Sequence, residues 1–355
     1  MDIQIGDRII GENHPTYFIA EISANHDGSL ERARYLINLA RQAGAEAAKF
    51  QNFRAPKIVS DYGFRNLGGQ VSHQASWRKS VYQVYEDASL SLEWTPVLKE
   101  MCDEVGIHYF SSPYDFEAVD HLDPFVPAHK IGSGDINWIE EIEHIARKGK
   151  PVLLATGASD IGDVQRAVHA IRDINPQLIL MQCNTNYTGS MENFDHIHLR
   201  VLQTYRMMFP ELVLGLSDHT PGHATALGAV ALGARVIEKH FTDDCSREGP
   251  DHPFSMEPQA FAEMVENTRR LERALGSTDK FVAENEQQTV IVQRRCLRAA
   301  RDIQPGEELT RDMIDILRPA TPGAILPFEI DAVIGARAIN HISFGQELRW
   351  TMLGA

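Results

Sequence analysis

Short apolar runs rich in β-forming residues alternate with segments of helical period between residues 17 and about 275. This alternation is typical of βαβ units, which build a parallel sheet or barrel. The segment after the first run shows the helical spacing clearly, because its apolar residues recur every three or four positions, with Asp27 or Ser29 as the expected cap. We predict eight strands, near residues 17–22, 45–50, 107–111, 128–132, 151–155, 178–183, 212–216 and 235–238.

Eight such units predict an α/β fold, a (β/α)8 TIM barrel, whose chemistry sits at the C-terminal ends of the strands. An open doubly wound sheet is the main alternative, but no GxGxxG follows the first strand. Residues 52–91 interrupt the period and are too long for an ordinary connection between a strand and its helix. This insertion is either a lid or substrate wall at the active face, or a packed surface excursion.

The pattern changes after residue 275, where a polar stretch precedes short strands and turns. Here RDIQPGEEL and NHISFGQEL match as a turn-centred repeat with an offset of 39 residues, which suggests a small β-rich module. We therefore predict a barrel domain at 1–280, a linker at 281–290 and a β-rich C-terminal domain at 291–355. A module of about 65 residues has little core of its own and would gain by docking on a partner.

Composition narrows the class of protein. The 355 residues include 34 Lys+Arg and 49 Asp+Glu, a formal charge of −15 without a basic run, so neither nucleic acid nor an anionic membrane is an expected partner. The four cysteines are scattered without a CxxC pair, which fits reduced thiols in a cytoplasm. The sequence has no signal-peptide pattern and no apolar run that would span a bilayer, so we expect a cytoplasmic location.

Polar residues close several of the predicted strands. Because side chains alternate along a strand, residues two apart share a face. An unpaired buried polar group costs roughly 1 to 3 kcal/mol, so this much polarity indicates a pocket at the barrel mouth rather than a packed core. The pairs that share a face are Lys49 with Gln51, Ser217 with His219, and Glu238 with His240.

His219 and His240 suit a divalent metal that keeps positions open for water and a substrate oxygen. The alternative is that they are structural histidines, but Ser217, Glu238 and Asp251 nearby favour the metal. Such a metal would act as a Lewis acid on a carbonyl.

Lys49 and Lys130 end the second and fourth predicted strands. A buried lysine needs an anion or it loses its charge, so both are candidates for binding phosphate or carboxylate, with structural ion pairs as the alternative. Gly157 and the other glycines of KIGSGD and ATGAS let backbone N–H groups approach a phosphate. Hydroxyl groups at or just beyond the strand ends favour the anion site, and they belong to Ser112, Ser133, Thr156 and Ser217.

Motifs spread over the whole chain resemble those of the sialic acid synthase family, whose members condense phosphoenolpyruvate with an N-acylated six-carbon sugar. Their order and spacing make the resemblance highly specific, and the tail resembles the antifreeze-like (SAF) domain that closes these enzymes. The motifs are AEISANHDGS, AKFQ, FSSPYD, HKIGSGD, LLATGAS, GLSDHTPGHATALGAVALGA, VIEKHFTDD and GPDHPFSMEP, followed by RRCLRAARDIQPGEELT and LRP.

The resemblance implies a role for each candidate. His219 and His240 would hold Mn2+ or Mg2+, which binds the open-chain sugar aldehyde. In family members the SAF domain crosses a dimer and places a basic residue over the partner's site, which implies a domain-swapped homodimer with Arg318 at the matching position. The phosphate and carboxylate of phosphoenolpyruvate would be held by Lys49, Ser112, Lys130, Ser133 and Ser217, while Glu21, Gln51, Tyr187 and Asp251 would face the sugar or the reacting carbons.

Two carboxylates, Glu21 and Asp135, are candidates for stabilising positive charge or moving a proton, with ion pairing to Lys49 and Lys130 as the alternative. The chain departs from the family pattern at Ala155, at Asp135, in the tail around Arg318, and in QCNTNYTGS, which leaves Thr185 at a ligand position. These departures cluster on the sugar side.

We therefore expect a transferase whose acceptor is N-acetylmannosamine or a 6-deoxy diamino analogue, and whose product is a nine-carbon 2-keto sugar acid. Condensation with a phosphorylated sugar is an alternative that would need a second basic cluster. A non-catalytic carbohydrate-binding protein is a further alternative, which predicts loss of the metal and phosphoenolpyruvate residues.

Overall fold

A computed structural model describes residues 2–68 and 73–354 of the chain. Contacts between Cα atoms divide it into two units, with the boundary between Gly276 and Ser277. Residues 69–72 of the insertion at 52–91 lie outside the described residues.

The first unit begins with a hairpin, β1 (Ile3–Ile5) and β2 (Arg8–Ile10), and continues into a nearly closed barrel of parallel strands. Neighbours are hydrogen bonded from the third strand of the barrel through the second and first, then the eighth back to the fourth, and the third and fourth approach within 8 Å. The predicted TIM-type barrel is confirmed. Its strands are β3 (Tyr17–Glu21), β4 (Ala47–Asn52), β5 (His108–Pro113), β6 (His129–Ile131), β7 (Val152–Ala155), β8 (Leu178–Cys183), β9 (Val213–Asp218) and β10 (Ala234–His240).

Helices follow the strands and cover the outside of the barrel. The first begins at Ser29, whose hydroxyl accepts a hydrogen bond from the N–H of Arg32, so the second of the two expected caps is the one used. The described part of the insertion forms three short helices and a 3-10 helix. The helices of this unit are α1 (Leu30–Gln42), α2 (Ala55–Ile58), α3 (Asp61–Arg65), α4 (Val81–Ala88), α5 (Trp94–Val105), α6 (Phe116–Leu122), α7 (Ile139–Ala146), α8 (Ile161–Arg172), α9 (Val201–Met208), α10 (Ala224–Ala231) and α11 (Pro258–Leu275).

The interior of the barrel is layered. At the N-terminal end of the strands, apolar side chains fill it, and Ile3, Ile5 and Ile10 of the hairpin pack into the same cluster. One step further along, the inward positions of β3, β4 and β10 change from Ile19, Ala47 and Val236 to charged residues. The hairpin thus plugs one end of the barrel, and the polar chemistry is confined to the other.

The second unit contains two small antiparallel sheets, one of β11 (Cys296–Ala299) with β12 (Ile314–Leu317) and one of β13 (Arg337–Ala338) with β14 (Leu353–Gly354). Its helices are α12 (Gln287–Gln293), which begins inside the predicted linker, and α13 (Ile330–Val333). The two copies of the sequence repeat meet, because Ile303 bridges to Ile342 and both are fully buried. Among the described residues, none of the helices of either unit combines the length and apolar character needed to span a membrane.

Candidate active site

Four charged side chains of alternating sign cross the barrel interior just above the apolar layer. Lys49 Nζ lies 2.7 Å from Glu21 Oε2 and 3.8 Å from Glu238 Oε2. Lys130 Nζ lies 3.6 Å from the other oxygen of Glu238. None of the four residues is more than 5% exposed. Charges buried this deeply persist because they are paired, and we call this row the charge chain.

Neighbouring hydroxyl and amide groups complete the charge chain. Lys49 Nζ donates to Ser112 Oγ at 3.3 Å, and Ser217 Oγ donates to Glu238 Oε1 at 3.1 Å. Gln51 Nε2 donates to Glu21 Oε1 at 2.7 Å. The structure therefore brings together the lysines, two of the serines, Gln51 and Glu21, as the sequence predicted, whereas the ion-pair partner of Lys130 is Glu238 and not Asp135.

Burial and pairing act in opposite directions on these groups. Burial raises the pKa of Glu21 to about 7, although Lys49 lowers it. Burial also favours the neutral form of Glu238, but the charges of Lys130 and Lys49 outweigh it and lower the pKa of that carboxyl. Burial lowers the pKa of Lys130, and Glu238 only partly compensates. An arriving anion would add negative charge next to this under-compensated lysine.

The two predicted metal ligands lie side by side, with their ring centroids 5.4 Å apart. Nδ1 of His219 is 2.9 Å from the carbonyl oxygen of Asn184, and since a carbonyl only accepts, this nitrogen carries the hydrogen and Nε2 is left as a ligand. Nδ1 of His240 is buried without a hydrogen-bond partner. Burial and the neighbouring His219 hold the pKa of His240 well below its usual value, which keeps it in the neutral form that binds metals.

The histidine pair fits a metal that retains open positions. In residues 2–68 and 73–354, no three His, Cys, Asp or Glu side chains converge as a metal-binding group. A cation held by the two imidazoles would therefore take its other ligands from water or substrate. The pair is packed by two aromatic rings, because Tyr187 lies 4.4 Å from His219 and Phe254 lies 4.9 Å from His240, centroid to centroid. Phe254 was not predicted, although it lies in the GPDHPFSMEP motif.

We call the charge chain and the histidine pair together the floor of the site. A cavity of about 370 Å³ opens above this floor. Seven predicted site residues line it, and the opposite wall comes from the insertion at 52–91, which is therefore not a mere surface excursion. The predicted residues at the cavity are Gln51, Ser133, Asp135, Thr185, Tyr187, His240 and Asp251. The insertion contributes Phe53, Ile58, Val59, Phe64, Gln74, Trp77, Val84, Tyr85 and Ala88.

The remaining candidates differ in how far their polar atoms are engaged. Asp251 Oδ2 accepts a hydrogen bond from the N–H of Ala24 at 3.2 Å, and burial raises the pKa of Asp135 to about 6. The hydroxyl of Thr156 already donates to the carbonyl oxygen of Met181 and accepts from Tyr205, each at 2.9 Å, so it serves the protein itself. Arg318 belongs to the second unit, where its Nε donates to the carbonyl oxygen of Gln293 at 2.6 Å.

Gly157 lies where three polar side chains meet. Its N–H donates to Ser133 Oγ at 2.9 Å. A Cβ atom at this position would lie 1.8 Å from Thr185 Oγ1 and 3.1 Å from Cys183 Sγ. The absence of a side chain therefore lets Thr185 reach the backbone beside the cavity.

We predict that Gly157→Ala lowers the free energy of unfolding by about 1 to 3 kcal/mol, because the added methyl group overpacks this junction. The double variant G157A/T185A removes the nearest clashing atom and should recover most of the loss. Denaturant unfolding of both variants and of T185A measures this. A double variant no more stable than G157A would contradict the steric explanation.

Glu141 is a buried carboxyl near Asp135 that the sequence analysis missed, since a glutamate in the first turn of a helix is usually a surface residue. Its Oε1 has no hydrogen-bond partner. Burial, and after it the charges of Asp135 and Asp115, raise the pKa of Glu141 to about 8. Glu141 is therefore neutral in the folded protein over a pH range in which it ionises in the unfolded chain.

This shift predicts a pH-dependent stability. Because the folded pKa of Glu141 lies above its ordinary value near 4.5, the stability it contributes is fully present below pH 4.5 and is lost as the pH rises through about 8. Between pH 5 and 9 the melting temperature of the wild type should fall relative to that of E141Q, which stays neutral. E140Q removes a charge from the exposed neighbour and serves as the control. Melting temperatures that change with pH in the same way in wild type and E141Q would contradict the assignment.

Comparison with known proteins follows the same division of the chain. Residues 36–280 match the NeuB family and residues 294–354 match the SAF domain. The N,N'-diacetyllegionaminic acid synthase of Legionella pneumophila is 32% identical over 97% of this chain and 96% of its own length. The N-acetylneuraminate-9-phosphate synthase of Homo sapiens is also 32% identical, over 94% of this chain and 91% of its own. The crystal structure of the N-acetylneuraminic acid synthetase of Leptospira borgpetersenii aligns with a TM-score of 0.71 at 30% identity, covering 82% of this chain and 95% of that one.

Proposed function

The chain belongs to the NeuB family of transferases, and we propose that it condenses phosphoenolpyruvate with an unphosphorylated N-acylated hexose to give a nine-carbon 2-keto sugar acid and phosphate. The observation that carries the proposal is the position of the charge chain next to the histidine pair, beneath a single cavity. One half of this floor suits an anionic donor, and the other half suits a carbonyl acceptor.

The lysines support binding of the donor. Lys49 and Lys130 flank Glu238, so two cationic groups share one carboxylate between them at 3.8 and 3.6 Å. Phosphoenolpyruvate would supply the missing negative charge through its phosphate and carboxylate. Ser133 and Thr185, which line the cavity beside Gly157, would add hydroxyl donors, and Ser112 and Ser217 already bond to the charge chain.

His219 and His240 would hold Mn2+ or Mg2+. The hydrogen bond of His219 Nδ1 to Asn184 leaves its Nε2 for the ion, and the buried Nδ1 of His240 has no hydrogen-bond partner. When bound, the ion would supply Lewis acidity at the aldehyde oxygen of the sugar. Tyr187 and Phe254 pack on the two rings and limit the access of bulk water.

The reaction forms a bond between C3 of phosphoenolpyruvate and the aldehyde carbon, while positive charge develops at C2. Water adds at C2, and the tetrahedral intermediate then expels phosphate with cleavage of the C–O bond. Glu21 and Asp135, with pKa values raised to about 7 and about 6, are suited to stabilise this charge or to accept a proton from the water. Gln51, which donates to Glu21, holds that carboxylate in place.

The cavity wall supports an unphosphorylated acceptor. Lys49 and Lys130 do not line the cavity but lie beneath it, where phosphoenolpyruvate would engage both of them. Among the described residues that line the cavity itself there is no lysine or arginine, so a second phosphate would lack a cationic partner once these two lysines are engaged. The apolar residues Phe53, Ile58 and Val59 would instead contact N-acyl methyl groups and, in a 6-deoxy sugar, the terminal methyl. N-acetylmannosamine and 6-deoxy diamino hexoses are the acceptors we propose. The proposal includes a domain-swapped homodimer in which Arg318 serves the partner's site.

The reaction can be tested by phosphate release from phosphoenolpyruvate with Mn2+ and a panel of N-acetylmannosamine, 6-deoxy diamino hexoses and their phosphorylated counterparts. We expect release with an unphosphorylated acceptor, and loss of release with EDTA or in H219A. Release that survives both treatments would contradict the metal assignment. Release with phosphorylated sugars alone would contradict the acceptor class.

Removing one lysine tests the donor site separately. Lys130→Met should weaken phosphoenolpyruvate binding by about 30-fold or more, because truncating one member of a buried charged group costs at least about 2 kcal/mol. Isothermal titration of phosphoenolpyruvate measures the change. Lys99→Met on α5 removes the same charge from an exposed pair with Asp103 and should bind normally. Unchanged affinity in K130M would remove Lys130 from the donor site.

A further inference from the structure

A second buried ion pair lies behind the two histidines. Asp218 and Lys239 each precede a histidine in sequence, and they are register partners across β9 and β10. Lys239 Nζ is 2.8 Å from Asp218 Oδ2, and the two side chains are 3% and 0% exposed. Because side chains alternate along a strand, this pair points away from the barrel interior, back to back with His219 and His240.

Lys239 holds the turn that carries His219. Besides the carboxylate of Asp218, its ammonium donates to the carbonyl oxygens of Thr220 at 2.6 Å and Gly222 at 2.8 Å. An ammonium group has three hydrogens, so all its donors are used. A side chain of the strand that ends in His240 thereby fixes the backbone on the far side of His219.

Asp218 closes the same turn from the other end. Its carboxylate accepts from the N–H of Thr220 at 3.1 Å and from the hydroxyl of Thr220 at 2.9 Å. It also accepts from the hydroxyl of Thr225, in the first turn of α10. Thr220 and Thr225 are themselves buried, so the whole network is sealed from water and its polar groups are paired.

Stability alone does not account for an ion pair at this place. Replacing a buried ion pair by apolar side chains of similar volume is often neutral or stabilising for the folded protein. The contribution of this ion pair is therefore to fix a single geometry. Here the geometry that it fixes is that of two strand ends, each of which bears one of the two proposed metal ligands. A small change in their separation would be felt directly by an ion held between the imidazoles.

We propose that Asp218 and Lys239 are positioning residues that set the relative placement of His219 and His240, and thereby the affinity of the protein for a divalent metal. The inference rests on the metal assignment in the proposed function. It predicts that the network controls metal binding through the backbone, without contact with substrate.

The test measures the binding of Mn2+ to the metal-free full chain, using the electron paramagnetic resonance signal of free Mn2+. Melting temperatures are recorded separately in EDTA. D218N and K239M should raise the Kd for Mn2+ by roughly tenfold or more. T225V, which removes one hydrogen bond and is the mildest change, should raise it by a smaller, measurable factor of about two to three.

Two controls separate positioning from general stability. E46Q disturbs a partly buried ion pair elsewhere, since Glu46 accepts from the N–H of Phe18 and lies 3.0 Å from Arg269, near the start of β3 and away from the histidines. It should lower the melting temperature and leave the Kd for Mn2+ unchanged. The apolar double variant D218L/K239M should regain thermal stability relative to the single variants while its metal affinity stays low.

Four outcomes would count against the inference. Wild-type Kd values in D218N and T225V would overturn it, as would a loss of Mn2+ affinity in E46Q that follows its loss of stability in the same way as D218N. Recovery of wild-type metal affinity in D218L/K239M would show that any well-packed pair suffices, and would also overturn it. Failure of the wild type itself to bind Mn2+ would instead overturn the metal assignment, and the inference with it.

Discussion

An ionised side chain inside a protein must be paired, and this constraint governs the mouth of the barrel. Lys49 lies between two carboxylates and Glu238 between two lysines, so no member of the charge chain can be removed without leaving a neighbour exposed to a large desolvation cost. The apolar plug below and the cavity above place this chain at a sharp boundary. An anion that bound here would therefore meet charges that are already desolvated and fixed, and its binding would require little further reorganisation.

The same strands perform two tasks on their two faces. Along β9 and β10 the inward positions hold Glu238, a member of the charge chain, and Ser217, which donates to it, while the outward positions hold Asp218 and Lys239, which fix the following turn. Residues of the candidate site and residues that support it thus alternate along each strand. The motif SDHT has polar residues at four consecutive positions for this reason, because successive residues face the barrel interior and the supporting network in turn.

The sequence predicted what depends on local periodicity. The eight strands appeared as separate β-rich runs, and the period of two placed Lys49 and Gln51, Ser217 and His219, and Glu238 and His240 on common faces. Contacts between segments distant in sequence were less accessible. Three features of the site do not follow from the pattern of residues next to them in sequence, since each depends on how separate loops and helices pack. They are the packing of Phe254 on His240, the hydrogen bond from Tyr205 to Thr156, and the burial of Glu141. Pairing of Lys130 with Glu238 likewise depends on which strands meet across the barrel.

The wall of the cavity has a different origin from its floor. The floor is assembled from the ends of several strands, whereas the described wall residues of the insertion belong to one continuous segment between β4 and α5. In evolutionary terms the two parts are separable: mutations or length changes within that single segment reshape the space above the floor without moving a strand. Sequence changes confined to this one segment would therefore alter which molecule fits the cavity, while the charge chain and the histidine pair stayed unchanged.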